Sequence, residues 1–322
     1  MIVVVTPNPA IDVTLVSDRI DLGHTHRVPP GARRAGGKGI NVARVLTTMG
    51  ADAVALAPVG TLDRAWFEND LGDVPFDFLD VPGAVRQSVA VVELSRTTVF
   101  NESGSDLGVD VWETLLNRVA ARLPHARCLV VAGSLPPGCP PALYGQLVEL
   151  GRRHGLPVIA DATGDALLSA AKAGATLLKP NARELLETTG EPDPVVGARA
   201  LQALGAGLIL VSLGEEGMLA VPSDPNQPVL SARLGRVITG NPTGAGDAGV
   251  AGAASLLTNA ENGVLDTRAI LARATAWSAA AVLESLAGSV DPGRAAELEA
   301  ELAITTLPAS GTSRSATAER SS

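Results

Sequence analysis

Four Phe, three Trp and one Tyr are all the aromatic side chains in 322 residues, 2% of the chain. Single-stranded nucleic acid is held on stacked aromatic faces, so this scarcity argues against that class of ligand. Basic excess is lacking too: 25 Lys and Arg face 34 Asp and Glu, a formal net charge of −9 and a pI near 5.0. No cationic footprint for a polyanion exists, and any phosphate ligand must be held by local donors against an unfavourable global field. Cysteine occurs twice, at Cys128 and Cys139. Such sparse use predicts two buried thiols in a reducing compartment rather than a disulfide. No apolar run reaches the ~20 residues a bilayer demands. Met1-Ile2-Val3-Val4-Val5 lacks a basic start and stops at Thr6-Pro7-Asn8-Pro9, so no signal peptide is read and a cytoplasmic protein is expected. No Gly-x-x-x-x-Gly-Lys-Ser/Thr run occurs, and no Gly-x-Gly-x-x-Gly follows the first apolar run, which disfavours both a P-loop and a dinucleotide-binding oxidoreductase. The four histidines form no metal-ligand grouping beyond His24 and His26, read as solvated loop residues.

What is present is Ala, Val, Leu and Gly, with 46% apolar residues overall, enough for a sizeable core. Short apolar runs at 2–5, 53–58, 128–132, 158–161, 177–179 and 208–213 read as buried strands. Helical patterns at 40–49, 64–71, 109–123, 141–154, 166–173, 183–188, 196–204, from Gly244 onward, and 268–285 alternate with them. Alternation of this kind predicts a parallel sheet covered on both faces. Two β-like regions, about 11–35 and 84–104, break it and would form a small protruding sheet, the second as a hairpin about Leu94-Ser95-Arg96. Residues 33–38 read as a glycine-rich turn. A single domain is expected over 1–308, followed by a Ser/Thr/Ala-rich disordered tail, 309–322.

Ligands of an open α/β sheet sit beyond the carboxyl ends of its strands. There the chain carries Asn8 and Asp12, Gly133-Ser134, Asp161, Lys179 with Asn181 and Glu184, and Ser212 with Gly214. Gly244-Ala245-Gly246-Asp247 opens an apolar helix. Its glycines let backbone N–H groups face an anion, and Asp247 can accept a proton from a hydroxyl beside it. By itself the run is equally an ordinary helix start with an acid near the dipole. Gly36-Gly37-Lys38-Gly39 can bring backbone and ammonium to a phosphate, or be a tight turn with a solvated lysine. Asn181 and Glu184 can face one Mg²⁺ through oxygen and water, or simply cap a helix.

In order, Thr6-Pro7-Asn8-Pro9-Ala10-Ile11-Asp12, Gly36-Gly37-Lys38-Gly39-Ile40-Asn41, Gly133-Ser134-Leu135-Pro136, Lys179-Pro180-Asn181-Ala182-Arg183-Glu184, Val211-Ser212-Leu213-Gly214 with Gly217, and Gly244-Ala245-Gly246-Asp247 closely resemble the ribokinase/PfkB family of sugar kinases. The nearest branch is the 1-phosphofructokinase and tagatose-6-phosphate kinase group, and the resemblance spans roughly residues 1–305. It implies a three-layer α/β sandwich with a mostly parallel sheet and a small β-sheet lid. It implies transfer from MgATP with Asp247 as base and Gly244, Ala245 and Gly246 as anion hole. Lys179, Ser212, Gly214 and Gly217 would meet the nucleotide, and Asn181 and Glu184 the magnesium. Asp12, Gly37, Lys38, Asn41, Arg86, Asn101 and Ser134 would meet the phosphosugar. A monovalent cation and a homodimer through the lid sheet are further implications; no nucleic-acid or membrane partner is.

Lys38 favours an acceptor that already carries a phosphate and argues against the 6-phosphofructokinase branch, which typically has glycine there. Arg86 matches the arginine of a Thr-Arg-x-Asn motif, but Val85-Arg86-Gln87-Ser88 replaces the threonine and the asparagine. Asn101-Glu102-Ser103-Gly104 resembles the group's Asn-Glu-Pro-Gly run with serine for proline, and Asn241-Pro242-Thr243 departs from Asn-Thr-Val. Fructose 1-phosphate is therefore expected first, then tagatose 6-phosphate or fructose 6-phosphate. A non-catalytic sugar-phosphate sensor is disfavoured because Asp247 and its glycines are intact.

Overall fold

The computed structural model describes residues 1–93, 96–258 and 265–307. The tail expected from 309 and the Leu94-Ser95 part of the hairpin turn lie outside the described residues. The chain opens with β1 (Ile2–Val5), leaves for β2 (Ala10–Val16) and β3 (Ala32–Gly36), and returns through α1 (Lys38–Thr48) to β4 (Ala53–Gly60), α2 (Arg64–Leu71) and β5 (Phe76–Val81). It leaves again for β6 (Arg86–Val92) and β7 (Thr97–Asn101). Then α3 (Val109–Arg122), β8 (Cys128–Ala132), α4 (Ala142–Arg153), β9 (Val158–Asp161), α5 (Gly164–Lys172), β10 (Leu177–Leu178), α6 (Ala182–Thr189), α7 (Pro194–Ala203) and β11 (Leu208–Ser212) follow. The last part is β12 (Met218–Val221), β13 (Leu230–Arg233), α8 (Ala245–Leu257), α9 (Thr267–Val282), α10 (Pro292–Glu301) and β14 (Ala303–Thr306).

Ten strands form the main sheet in the order β14-β13-β12-β11-β10-β9-β8-β1-β4-β5. Alternation along each strand divides two cores. Ile2 and Val4 of β1, with Cys128 and Val130 of β8, pack on the side of α1, α8 and α9. Val3 and Val5, with Leu129 and Val131, pack on the side of α3, α4 and α5. Such strands carry apolar residues at every position, which is why they read as unbroken runs. Cys128 and Cys139 are free and buried, and burial pushes both thiols up to about 12.

The main sheet is mostly parallel, as expected, and its one antiparallel edge is made by β12, β13 and β14. Only residues 213–217 connect β11 to β12, and a parallel crossover needs about a dozen or more residues. A correction concerns 33–38. Most of that supposed turn is β3, paired antiparallel with β2 from Ala10↔Gly36 to Thr14↔Ala32. Arg33-Arg34-Ala35-Gly36 shows no apolar alternation, so the strand is made by its partner rather than by its own pattern. The small sheet has the order β3-β2-β6-β7, and β6 and β7 pair as a hairpin through Val92↔Thr97.

The strand order reverses at β1, which lies between β8 and β4. A crevice opens at such a reversal, beyond the carboxyl ends of the strands. Here Asn8, after β1, donates from Nδ2 to Ser134 Oγ, after β8, at 3.1 Å. Among the described residues no helix is long and apolar enough to cross a membrane.

Candidate active site

Between the carboxyl ends of the main strands and the small sheet lies a cleft of about 1040 Å³. Of the residues assigned to the site from sequence, all but Gly217 line it: Asp12 from β2, Arg86 from β6 and Asn101 from β7 on one side, Gly244, Ala245, Gly246 and Asp247 on the other. Gly217 lines an adjoining cavity of about 340 Å³, which shares Ser212, Gly214, Ala245 and Gly246 with the cleft.

Asp247 sits in the first turn of α8 and is 6% exposed. Asn41 of α1 donates from Nδ2 to its Oδ2 at 3.0 Å, and to Asp12 Oδ2 at 3.2 Å. Burial pushes the Asp247 carboxyl up to about 7, with Lys38 and the Asn41 amide pulling the other way and Asp161 and Asp12 adding to the rise. Burial also raises the Asp12 carboxyl, against the Asn41 amide and the Gly37 N–H. Gly36 is required beside it, since a Cβ there would fall 2.1 Å from Asp12 Oδ2.

Lys38, at the start of α1, places Nζ 3.1 Å from Asp161 Oδ1 and 3.6 Å from Glu184 Oε1. Burial works to lower its ammonium, but Asp161, Glu184 and Asp247 outweigh that and raise it, so it stays charged. Asn181 and Glu184 build a full capping box on α6: Asn181 Oδ1 accepts from Glu184 N at 2.8 Å, and Glu184 Oε2 accepts from Asn181 N at 2.9 Å. The capping alternative left open by sequence is therefore realised, and Glu184 Oε1 is the oxygen turned to Lys38.

Asp161, a strand-end residue that belongs to none of the sequence motifs, is 1% exposed, and its Oδ2 has no hydrogen-bond partner among the described residues. No group of three His, Cys, Asp or Glu capable of holding a metal occurs among the described residues. The donor set fits Mg²⁺ held partly by protein: an unpartnered carboxylate oxygen of Asp161, Oε1 of Glu184, and the remainder from water and phosphate.

The helix start is shaped for an anion. Gly244 has φ 84°, and a Cβ there would lie 3.0 Å from the backbone of Ala287. An ideal Cβ on Gly246 would lie 3.4 Å from Lys179 Nζ, so the ammonium stands directly over this glycine. Lys179 is 3% exposed and donates to Ser212 Oγ at 3.4 Å. First-turn N–H groups, which a helix leaves without intrahelical partners, and this ammonium thus converge at one place.

Toward the small sheet, Arg86 donates to the Asn8 carbonyl from Nε at 3.3 Å and from Nη2 at 3.1 Å, and to the Glu102 carbonyl from Nη1 at 3.1 Å. Ser88 and Asn101, opposite each other on β6 and β7, are joined by Ser88 Oγ donating to Asn101 Oδ1 at 2.8 Å. Asn8, to which the sequence motifs give no separate role, also donates from Nδ2 to the Ser103 carbonyl at 3.0 Å, tying both sheets.

The family model for pfkB family carbohydrate kinases matches residues 3–293. The chain belongs to that family. A 1-phosphofructokinase of Xanthomonas campestris pv. campestris is 36% identical over 272 residues, 80% of this chain and 85% of that protein. Among solved structures, phosphofructokinase-2 of Escherichia coli in complex with fructose-6-phosphate superposes with a TM-score of 0.80 at 26% identity, covering 93% of this chain and 98% of the other. The same enzyme has been solved in a tetrameric inhibited form, at 25% identity and a TM-score of 0.81 over the same shares of the two chains. Arabidopsis thaliana ribokinase complexed with ribose and ATP matches over 92% of this chain and 98% of its own at 19% identity and a TM-score of 0.67, a likeness of fold. This carbohydrate kinase therefore has the ribokinase-like arrangement: a central, mostly parallel sheet with helices on both faces and a small separate sheet.

Proposed function

We propose that this kinase transfers the γ-phosphoryl of MgATP to the C6 hydroxyl of fructose 1-phosphate, giving fructose 1,6-bisphosphate and ADP. The observation that carries the reading is Asp247: a buried carboxylate, fixed by Asn41, one residue from the glycines of a helix start and facing the same cleft as Asp12. As the sugar oxygen attacks phosphorus, its proton passes to Asp247 and the bond from the γ-phosphorus to the β–γ bridging oxygen breaks. Asp12 accepts from sugar hydroxyls, a task suited to a carboxylate beside two donors. The helix start at Gly244, Ala245 and Gly246 forms the anion hole and, with Lys179, stabilises the transferring oxygens. Lys38, held among Asp161, Glu184 and Asp247, lines the same cleft and would meet the phosphosugar. Asp161 and Glu184 would hold Mg²⁺, which when bound supplies charge neutralisation at the phosphates. The smaller cavity, open to the cleft past Gly214 and Gly246 and walled by Met218, Ile238 and Val282, suits the nucleoside.

The 36% identical relative supports fructose 1-phosphate, and Lys38 argues against the 6-phosphofructokinase branch. The small sheet acts as a lid, and exposed Val99 and Phe100 on its edge strand β7 support self-association there. A coupled ADP-release assay across fructose 1-phosphate, fructose 6-phosphate and tagatose 6-phosphate tests the assignment. The highest kcat/KM is expected with the first; a higher value with either of the others reassigns the substrate, and release with none removes the kinase reading.

A further inference from the structure

The small sheet reaches both cavities. Arg86 begins β6 in the large cleft, and Glu93 follows the other end of the same seven-residue strand. At ~3.3 Å per residue this strand is a bar about 20 Å long. Its far end, with Arg96 and Thr97, forms one wall of the smaller cavity, facing Ile238, Ala279 and Val282. That wall is built rather than incidental. Glu93 is 9% exposed, and its Oε1 accepts from the Ile20 N–H at 2.8 Å. Arg96 pairs with it as a fork, Nε to Oε2 at 2.6 Å and Nη2 to Oε1 at 3.2 Å. The guanidinium is thereby oriented while its side chain stays 62% exposed. Nothing in the sugar-side chemistry uses this pair.

Resting on the reading of the smaller cavity as the nucleoside site, we propose that Arg96, fixed by Glu93, is a nucleotide-binding residue supplied by the small sheet, so that one sheet closes on both substrates. Among the described residues the cavity has no aromatic side chain in its lining, and an oriented guanidinium gives the nucleotide a polar, planar partner there. Because Asp12, Arg86 and Asn101 ride on the same sheet, whichever ligand arrives first orders the wall that the second one meets. Binding of ATP and of phosphosugar is then mutually reinforcing, by the same factor in each direction.

Calorimetry on the full chain tests this without turnover, using a non-hydrolysable ATP analogue and fructose 1-phosphate, each alone and each in the presence of the other. Arg96→Ala is expected to weaken analogue binding about tenfold, the scale of one lost charged contact. It should leave fructose 1-phosphate binding alone unchanged and bring the mutual reinforcement close to unity. Glu93→Gln, which keeps Arg96 but loosens its fork, should give a smaller loss in the same direction. Analogue affinity within twofold of the parent in Arg96→Ala overturns the proposal, as does a parent that binds no nucleotide. Absence of ADP release by the parent with every phosphosugar overturns the kinase reading instead and leaves the nucleotide measurement standing. Since Arg96 is exposed, an unchanged Tm confirms that the variant reports on binding and not on folding.

Discussion

Asn41 and Asp247 stand 206 residues apart in the chain and 3.0 Å apart in the cleft, the amide of one donating to the carboxylate of the other. The contact favours the ionised acid in a place where burial disfavours it. The balance leaves the carboxyl near 7, so proton occupancy of the base changes across neutral pH.

The pH profile of the parent follows from that. A base works only when ionised, so kcat/KM should rise as pH passes through about 7, set by the free enzyme. Asn41→Ala removes the donor and should move the rising limb to higher pH. An unmoved limb would mean that the titrating group is not Asp247.

Asp247→Asn should lower kcat by about 10²–10⁴-fold. Its effect on stability has the opposite sign. The folded carboxyl is raised from 3.8 to about 7, so its contribution to stability is full below 3.8 and is lost as pH rises through about 7. At pH 8 the parent carries a buried charge that the amide does not, and the variant's Tm at that pH should equal or exceed the parent's in a melting experiment.

Lys38→Ala removes a cation that both Asp161 and Glu184 face. With a charged contact of about 1.5–3 kcal/mol lost, KM for the phosphosugar should rise roughly 10–100-fold. Its ammonium also lowers the Asp247 carboxyl, so the variant's rising limb should shift upward in pH as well. Steady-state kinetics at several pH values separates the two effects.

Gly217→Ala should destabilise. At φ 92° a Cβ would fall 2.1 Å from the Ala232 carbonyl oxygen, on the neighbouring strand. Backbone atoms on both sides cannot yield cheaply, and a cost of about 2 kcal/mol or more is expected. Differential scanning calorimetry should register a lower Tm, and KM for ATP should rise as the loop shifts.

Much of this was legible in the sequence because buried strands such as β1 and β8 are apolar at every position and short, and because Gly244-Ala245-Gly246-Asp247 is a contiguous signal. Four kinds of feature were not. β3 owes its conformation to pairing with β2, a non-local cause that Arg33-Arg34-Ala35-Gly36 does not advertise. The antiparallel edge depends on connection length rather than on strand composition. Asp161 carries no motif of its own, and its place beside Lys38 arises only when β9 and α1 meet at the cleft. The smaller cavity joins Glu93 and Arg96 to residues more than a hundred positions away, beyond the reach of any periodicity.

The capping box of α6 limits what Glu184 can offer. One carboxylate oxygen is committed to the Asn181 N–H, and releasing it would unseat the first turn of the helix. Glu184 therefore has a single oxygen for any incoming cation, and its geometry is one-pronged by construction. Its rotamer is already frozen before a ligand comes, so no side-chain entropy is lost on arrival. The same residue pair that starts the helix thus sets the denticity of the site.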